Sequence, residues 1–387
     1  MSHTPFPVVF ALWAAGLGAA AQYGKMSVAY ENLGEIYPQA GAALGLVVSL
    51  VGLVGIVLGV TAGLLVARIR YRRALLWALF VGAGLSAYQA SLPPIGLMLL
   101  SRALEGASHL AIVVAAPTLI AQISAPQHRG FTLTLWGSFF GVAFAFLTWA
   151  GLPLVAAYGL SALFLAHSAY MAAIAVLLWL TLAKLNAPGP SGNLSLGQII
   201  REHVLIYRSP FVSAPALGWL FYAFCFVSLL TLLPQFLAPE VRAFVIGAMP
   251  LVSIASSMTF GVCLLRSWSA VRVIQLGFSL SLLACLFLLV FPGVPGLCLC
   301  LAASLGLVQG ATFAAVPQLN TTADDQARAN GALAQMGNIG NTLGTPVIAT
   351  LILSFGYSGM IWAVALIFAA GATTHFLLAR RRLSVDI

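Results

Sequence analysis

Long apolar runs separated by short polar segments constrain this chain more than any other feature of its sequence. Only 17 Lys and Arg and 8 Asp and Glu occur among its 387 residues, whereas a soluble domain carries roughly 25% charged residues. A membrane-spanning helix needs about 20 mainly apolar residues. The runs that meet this length are residues 7–32, 41–67, 74–92, 95–123, 130–157, 160–183, 210–237, 241–265, 270–291, 294–319, 328–354 and 358–379. The sequence therefore predicts an all-α membrane protein with twelve transmembrane helices.

A polar stretch near the middle of the chain divides these runs into six and six. We therefore expect an N-terminal six-helix bundle in residues 1–183, a cytoplasmic linker in residues 184–209 and a C-terminal six-helix bundle in residues 210–387. Within the linker, the pattern of residues 196–206 predicts a short amphipathic helix that Ser195 can cap. This helix either lies on the inner leaflet of the membrane or belongs to a plain tether between the two halves.

The positions of the basic residues predict the orientation of the chain in the membrane. With the N-terminus in the cytoplasm, fourteen basic residues fall on the inner side and only Arg242 falls in an outer loop. The inner set is Arg68, Arg70, Arg72, Arg73, Arg129, Lys184, Arg201, Arg208, Arg266, Arg272, Arg328, Arg380, Arg381 and Arg382. Because cytoplasmic loops are rich in Lys and Arg, we expect a multi-pass protein of the inner (plasma) membrane with cytoplasmic N- and C-termini.

The same composition argues against other classes of protein. The net charge of +9 comes from short clusters between apolar runs, so we expect no nucleic-acid partner. The five Cys residues lie within apolar runs, which is typical of buried small side chains rather than of disulfides or a metal site. The sequence has no phosphate-binding loop and no metal-binding His/Glu motif. We therefore expect no cofactor, no metal and no enzyme activity.

The two halves show a weak internal repeat. Three pairs of residues recur at an offset of about 200 residues: Pro117 with Pro317, Arg129 with Arg328, and Gly130 with Gly331. Halves repeated in the same orientation are expected of parallel-repeat transporters. The repeat therefore predicts two parallel six-helix pseudo-repeats.

With six plus six spans, cytoplasmic termini and a basic linker, the chain resembles the major facilitator superfamily over its whole length. In span four, Arg102-Ala-Leu-Glu105-Gly106 resembles the family's span-four signature. The resemblance implies a secondary transporter that works by alternating access. It also implies that spans one and four line a central cavity.

The loop between spans two and three resembles the family's gating signature. This resemblance implies gating roles for Gly63, Arg68 and Arg72. Two positions depart from the signature, since the usual acidic residue is Ala67 and the usual second Gly is Arg70. In the family the acidic residue helps to lock the cytoplasmic gate, so the resemblance does not extend to that lock.

Ionisable side chains within the spans are the strongest indication of a site, because each one costs several kcal/mol at the bilayer centre unless it is paired or faces water. Lys25 lies in span one, and Arg102, Glu105 and His109 lie in span four. The spacing i, i+3, i+7 of the last three places them along one helix face. We expect the four side chains to converge in the outer half of the cavity.

These residues suggest either a coupling site or a structural ion pair. For Glu105, nearby cations favour the ionised carboxylate and a low-dielectric environment favours the protonated one, so it is the candidate for proton coupling, with His109 as a second candidate. Arg102 and Lys25 are candidates to clamp a substrate carboxylate. The alternative is a permanent Lys25–Glu105 pair that holds two helices together. A lone His in a span, such as His109 or His167, is more often a hydrogen-bonded residue between helices than a proton relay.

Neutral polar side chains complete the set of candidate cavity residues. Those in spans one, seven, ten and eleven are Gln22, Tyr23, Tyr222, Gln309, Gln335, Asn338 and Asn341. Gln335, Asn338 and Thr342 recur at i, i+3, i+7 and form one polar stripe that must avoid lipid. Substrate binding and plain interhelical hydrogen bonding explain this stripe equally well.

The leading prediction is a proton-coupled secondary active transporter that acts as a monomer and carries a small organic solute, an anion or a zwitterion. Its partners are then the solute, protons and the lipid bilayer. The alternatives are a multidrug or metabolite exporter that exchanges solute for protons, facilitated diffusion, and a non-transporting membrane sensor that keeps the fold.

Overall fold

The computed structural model describes residues 4–59, 62–182 and 196–385, and within these ranges the chain is helical and contains no β-strand. Chain contacts divide it into two compact units, one formed by Met1–Gly55 and Thr61–Gly192 and the other by Ile56–Val60 and Asn193–Ile387. The first unit contains all or part of α1 Phe6–Val28, α2 Tyr30–Ile36, α3 Leu44–Ser49, α4 Leu53–Leu58, α5 Ala62–Ile69, α6 Tyr71–Gln89, α7 Ile95–Ile123, α8 Pro126–Gly137, α9 Phe139–Phe146, α10 Leu152–Tyr158 and α11 Leu160–Thr181. The second unit contains α12 Leu196–Arg208, α13 Ser213–Leu232, α14 Pro239–Ser256, α15 Val262–Leu265, α16 Ala270–Val290, α17 Pro295–Leu319 and α18 Ala323–Val385.

Ten helical stretches in the described residues are long and apolar enough to cross a membrane. The chain is therefore an integral, multi-pass, all-α membrane protein. The 19-residue helix α6 is not among the ten, because Arg72 and Arg73 in its first turn lower its mean hydropathy. The tenth stretch, Asp324–Ser384, covers 61 residues and contains one non-helical residue, Gly356, with φ 59° and ψ −147°.

Most predicted spans coincide with these helices to within a few residues, and the span 95–123 coincides with α7. In three predicted spans, a 3-10 or π-helical turn separates two α-helices of the same span. In span five, a π-helical turn at Leu147–Gly151 separates α9 from α10. In span two, a 3-10 turn at Leu50–Gly52 separates α3 from α4. In span eight, a π-helical turn at Ser257–Gly261 separates α14 from α15. Such changes of winding depend on packing against neighbouring helices, which the apolar pattern does not encode.

The first unit is built around α1, which packs against α7, α9 and α11, while α6 packs against α7 and α11. Its apolar core is fully buried at residues such as Leu12, Leu75, Leu79, Ile120 and Leu178. These helices carry apolar residues on all sides. The apolar residues on one face form the core, and those on the opposite face are available to contact lipid.

A glycine sets the closest approach in this unit. A Cβ atom added to Gly106 of α7 would lie 2.5 Å from the carbonyl oxygen of Val51, within the 3-10 turn that interrupts span two. No larger residue fits there without movement of the backbone. In contrast, a Cβ atom on Gly96 of the same helix would meet no atom within 4 Å.

In the second unit, α13 packs along α18, α16 packs against α17 and α18, and α14 packs against α17. Small residues again allow close contact, since a Cβ atom on Gly344 would lie 2.1 Å from the carbonyl oxygen of Phe224. The helix α12 covers the described part of the predicted linker, while residues 183–195, including Ser195, lie outside the described residues. It contacts the second unit through Ile206, which is 1% exposed, and leaves Ile200 and Leu205 exposed.

Candidate functional site

A cluster of three charged side chains lies inside the first unit. Lys25 of α1 and Arg102 and Glu105 of α7 are each 0% exposed, and we call them the buried charge cluster. Lys25 Nζ lies 2.8 Å from Glu105 Oε1, and Arg102 Nη1 pairs with Glu105 Oε2. Buried charge requires a partner in the apolar interior, so the pairing explains how these residues are tolerated.

Lys25 is held by three acceptors. Its ammonium group donates to Glu105 Oε1 at 2.8 Å and to Ser86 Oγ of α6 at 2.9 Å, and its Nζ lies 3.3 Å from His167 Nδ1 of α11. An ammonium group has three N–H donors, so these contacts use all of them. Lys25 therefore ties α1 to three other helices.

The hydrogen-bond directions around Lys25 fix the proton positions. Ser86 Oγ donates to the carbonyl oxygen of Phe164 and also lies 2.9 Å from His167 Nδ1, so its proton has an acceptor on either side and its lone pair faces Lys25. His167 Nε2 lies 3.0 Å from the carbonyl oxygen of Gly18, which can only accept. The proton of a neutral imidazole therefore sits on Nε2, and Nδ1 is the acceptor that faces Lys25.

Glu105 is likewise surrounded by donors. Oε1 accepts from Lys25, while Oε2 accepts from Arg102 and from Gln89 Nε2 at 2.9 Å. Because three donors and two cations surround it, the carboxylate is the form that satisfies every contact. With both cations and a neutral His167, the buried charge cluster has a net charge of +1.

Arg102 is anchored at the interruption of span two. Its Nε donates to the carbonyl oxygen of Val47 at 2.7 Å and its Nη2 to that of Val48 at 3.0 Å. Both carbonyls directly precede the 3-10 turn, against which Gly106 packs. The signature residues Arg102, Glu105 and Gly106 thus join α7 to the interrupted segment through charge, hydrogen bonds and close packing.

The other candidate residues of spans one and four lie one turn away. His109 Nδ1 donates to the carbonyl oxygen of Ala19 at 3.0 Å, and its ring meets the Tyr23 ring edge-on at a centroid distance of 5.1 Å. Gln22 Nε2 donates to Ser108 Oγ at 2.9 Å. His109 therefore bonds to α1 backbone, whereas Glu105 bonds to the cations.

The candidate residues of the second unit form smaller contacts. Tyr222 stacks between Trp219 and Phe226 at centroid distances of 4.5 and 5.2 Å. Gln309 Oε1 accepts from Ser253 Oγ at 3.4 Å. The three aromatic rings all lie on α13, so their stacking is within one helix, whereas the bond between Ser253 and Gln309 joins α14 to α17.

The polar stripe on α18 is buried and partly bonded to α12. Gln335, Asn338 and Thr342 are 5 to 8% exposed. Gln335 Oε1 accepts from the hydroxyl of Tyr207 at 2.8 Å, and burial raises the pKa of Tyr207 to about 12, so this phenol stays a donor. Asn338 Nδ2 donates to the carbonyl oxygen of Ala334. The remaining candidate, Asn341, lies on the same helix at intermediate exposure.

The gating-signature residues lie at the ends of helices. Gly63 and Arg68 belong to α5. Arg72 Nε and Nη2 donate to the carbonyl oxygens of Leu182 and Trp179 at 2.9 and 3.0 Å. Arg72 therefore caps the carboxyl end of α11, where a cation also favours the helix dipole.

Sequence reasoning omitted two polar partners of the buried charge cluster, Ser86 and Gln89. It interpreted the third, His167, as a hydrogen-bonded residue between helices, without naming its partners. All three are neutral, so cost arguments for buried charge do not identify them. The recurrence of Ser86 and Gln89 at i, i+3 on α6 is the one available clue, because it places both on one helix face.

Comparison with known proteins agrees with this architecture. The model of the Major Facilitator Superfamily matches residues 8–319, while no curated protein matches the sequence significantly. Among solved structures, a bacterial homolog of the human lysosomal transporter Spinster, inward-facing and occupied, shares 14% identity at a TM-score of 0.75, covering 96% of both chains. The same homolog, inward-facing and unoccupied, aligns at 13% identity and a TM-score of 0.73, covering 99% of this chain and 98% of that one. The E. coli fucose:proton symporter FucP aligns at 17% identity and a TM-score of 0.66, covering 98% of both chains.

Proposed function

Because the chain belongs to the Major Facilitator Superfamily and is a transporter rather than an enzyme, we propose that it carries a small organic anion across the inner membrane. In this proposal it is a secondary active transporter that couples the anion to protons by alternating access. A fold shared with a fucose:proton symporter is consistent with coupling, although at this identity the likeness concerns the fold alone.

The observation that carries the proposal is the net charge of +1 on the buried charge cluster. Within the described part of the first unit, Lys25, Arg102 and Glu105 are the fully buried Lys, Arg, Asp and Glu side chains. An excess buried cation is costly in a low-dielectric interior. A substrate carboxylate would neutralise it, and the planar guanidinium of Arg102 suits bidentate binding of a carboxylate.

The geometry also suggests how proton uptake would follow substrate binding. A substrate carboxylate that draws Lys25 or Arg102 away removes a donor from Glu105. The freed carboxylate of Glu105, still buried, then accepts a proton. The bound anion first brings the cluster to neutrality, and the proton on Glu105 then returns it to the net charge of +1 that it has when empty. Anion and proton are therefore carried together without a net change in buried charge.

We propose in addition that the chain crosses the membrane twelve times, as two parallel six-helix pseudo-repeats. The ten apolar stretches become twelve if α6 crosses the membrane and if Gly356 divides the stretch Asp324–Ser384 into two spans. The presence of Pro117 within α7 and Pro317 within α17 supports the repeat. Both termini and residues 184–209 are then cytoplasmic, and residues 1–183 and 210–387 form the two bundles.

The test begins with a search for the solute. Thermal unfolding of the purified protein is measured with carboxylates, amino acids, neutral sugars and lipophilic cations, and the best ligand is radiolabelled. Its uptake into proteoliposomes is then measured with and without an imposed pH gradient. We expect a carboxylate to stabilise the protein. We also expect it to accumulate inside the proteoliposomes only when the proton gradient is directed inward. Stabilisation by lipophilic cations alone would instead indicate a drug exporter.

Variants connect the transport to the cluster. In Glu105→Gln, we expect exchange of labelled for unlabelled anion to continue while accumulation driven by the pH gradient is lost. In Arg102→Ala, we expect binding of anions to weaken more than binding of neutral solutes. Uphill uptake in Glu105→Gln at the wild-type rate would exclude coupling through this carboxylate.

A further inference from the structure

Two buried amide oxygens beside the charge cluster have no hydrogen-bond partner among the described residues. They are Oε1 of Gln22 on α1 and Oε1 of Gln89 on α6. Both side chains are 0% exposed. Gln22 lies one turn before Lys25 on the same helix face, and Gln89 contacts Glu105 directly.

The orientation of the Gln89 amide is fixed by its neighbours. Its Nε2 donates to Glu105 Oε2 at 2.9 Å and to Ser101 Oγ at 3.1 Å. The carboxylate can only accept, and the hydroxyl proton of Ser101 is donated to the carbonyl oxygen of Met98. Exchanging the oxygen and nitrogen of the amide would place an acceptor against two acceptors. The oxygen of Gln89 must therefore point away from both.

The same reasoning applies to Gln22. Its Nε2 donates to Ser108 Oγ at 2.9 Å, and Ser108 Oγ donates its own proton to the carbonyl oxygen of Ala78 at 2.7 Å. A reversed amide would again place two acceptors together. The amide of Gln22 fits here because residue 82 is a glycine. A Cβ atom on Gly82 would lie 2.9 Å from Gln22 Nε2, which is too close for an unstrained contact.

The first unit thus holds excess positive charge together with two obligatory acceptors. Buried polar atoms are rarely left without a partner, so these two oxygens require a hydrogen-bond donor. Lys25 cannot provide it, because all three of its N–H groups already donate to other acceptors. Resting on the proposed function, we propose that the transported anion is a hydroxy acid. Its carboxylate binds Arg102 or Lys25, and its hydroxyl donates to the amide oxygen of Gln22 or Gln89.

The charge of the site decides between a hydroxyl and an ammonium group as the donor. A hydroxy acid carries one negative charge, so the site becomes neutral when the acid binds and returns to a net charge of +1 when Glu105 takes up a proton. An amino acid is a zwitterion, so the site would stay at +1 when it binds and would reach +2 after the same proton uptake. Because uncompensated charge is costly in this interior, the hydroxyl is the donor that fits.

The experiment compares matched pairs of carboxylates that differ in the hydroxyl groups. Binding to the purified full-length protein in lipid nanodiscs is measured by calorimetry for propionate and lactate, butyrate and 3-hydroxybutyrate, and hexanoate and gluconate, with alanine as the zwitterion. In at least one pair, we expect the hydroxylated member to bind about tenfold more tightly, because a buried acceptor is otherwise left unpaired. Alanine should bind more weakly than lactate.

Variants assign the preference to the two amides. Gln22→Met and Gln89→Met keep the side-chain length but remove the oxygen, and at least one of them should reduce the preferred hydroxy acid to the affinity of its plain partner. Retained binding of the plain carboxylate shows that the variant is folded. Gln235→Met is the matched control, because its amide bonds to the carbonyl oxygen of Leu232 in a turn outside the site; it should keep the preference.

The outcomes separate this inference from the proposed function. If no carboxylate binds, the proposed anion transport fails and the inference fails with it. If carboxylates bind but no hydroxylated member exceeds its partner, anion binding stands and the inference is refuted. Tighter binding of alanine than of lactate also refutes it. As a test that needs no variant, methylation of the hydroxyl in the preferred acid should abolish the advantage.

Discussion

Removing the charge of Glu105 should destabilise the protein far more than removing a surface charge does. In Glu105→Gln, Lys25 and Arg102 remain 0% exposed without their shared anion. The amide also places an NH₂ group at one of the two carboxylate oxygen positions, each of which accepts from a cation. Leaving a buried charge without its partner costs about 3–5 kcal/mol, so we expect a loss of this size in the free energy of unfolding.

The double variant tests whether the loss comes from charge. Lys25→Met removes one of the two cations, and in Lys25→Met/Glu105→Gln the net charge of the cluster returns to +1, carried by Arg102 on the carbonyl oxygens of Val47 and Val48. We expect the double variant to lose at least about 2 kcal/mol less than the sum of the single losses. Free energies of unfolding measured by SDS titration in mixed micelles give this coupling energy.

A surface pair provides the control. Asp325 and Arg328 have the same i, i+3 spacing as Arg102 and Glu105, with Oδ1 and Nη1 at 3.2 Å, but their side chains are 37 and 38% exposed. Asp325→Asn should cost less than about 1 kcal/mol. If the losses at Lys25 and Glu105 add to within about 0.5 kcal/mol, the interpretation of the cluster as a coupled charge unit is wrong.

Three further substitutions test packing, hydrogen bonding and backbone conformation in the first unit. Gly106→Ala should destabilise the protein by about 1–3 kcal/mol because its Cβ atom would meet a backbone carbonyl oxygen, whereas Gly96→Ala on the same helix should be neutral or stabilising in the same unfolding assay. His167→Leu removes the third acceptor of the Lys25 ammonium and should cost about 1–3 kcal/mol; a loss below 0.5 kcal/mol would contradict the hydrogen-bond scheme. Arg70 has φ 72°, a backbone conformation that favours glycine, so Arg70→Gly should stabilise by about 1 kcal/mol, while Arg73→Ala, which removes a neighbouring cation, should not.

The fold was largely predictable because each apolar run reports on one helix. Length and hydropathy suffice to place a helix such as α11, Leu160–Thr181, against the predicted span 160–183. They do not reveal the 3-10 turn at Leu50–Gly52, since that turn forms where Gly106 of the neighbouring helix approaches. Interruptions of this kind depend on contacts between distant segments.

The charged part of the candidate site was predictable for a related reason. Lys25, Arg102 and Glu105 are conspicuous because a charge within a span is costly, and the structure brings all three together. The partners of His167 and the role of Gln89 were not predictable, since neutral polar residues in a span are common and their contacts depend on the rotation of each helix. At Arg70 the family pattern was informative although the residue departs from it. The signature has glycine at this position, and Arg70 adopts a backbone conformation with positive φ that favours glycine.

The most direct test of the central claim is the number of protons taken up when the protein binds its carboxylate. The measurement uses purified protein in weakly buffered detergent solution with a pH indicator, and the carboxylate that most stabilises the protein. We expect about one proton taken up per anion bound in the wild type, because Glu105 accepts a proton as its cations turn to the substrate, and none in Glu105→Gln. Binding without proton uptake in the wild type, or equal uptake in Glu105→Gln, would contradict it.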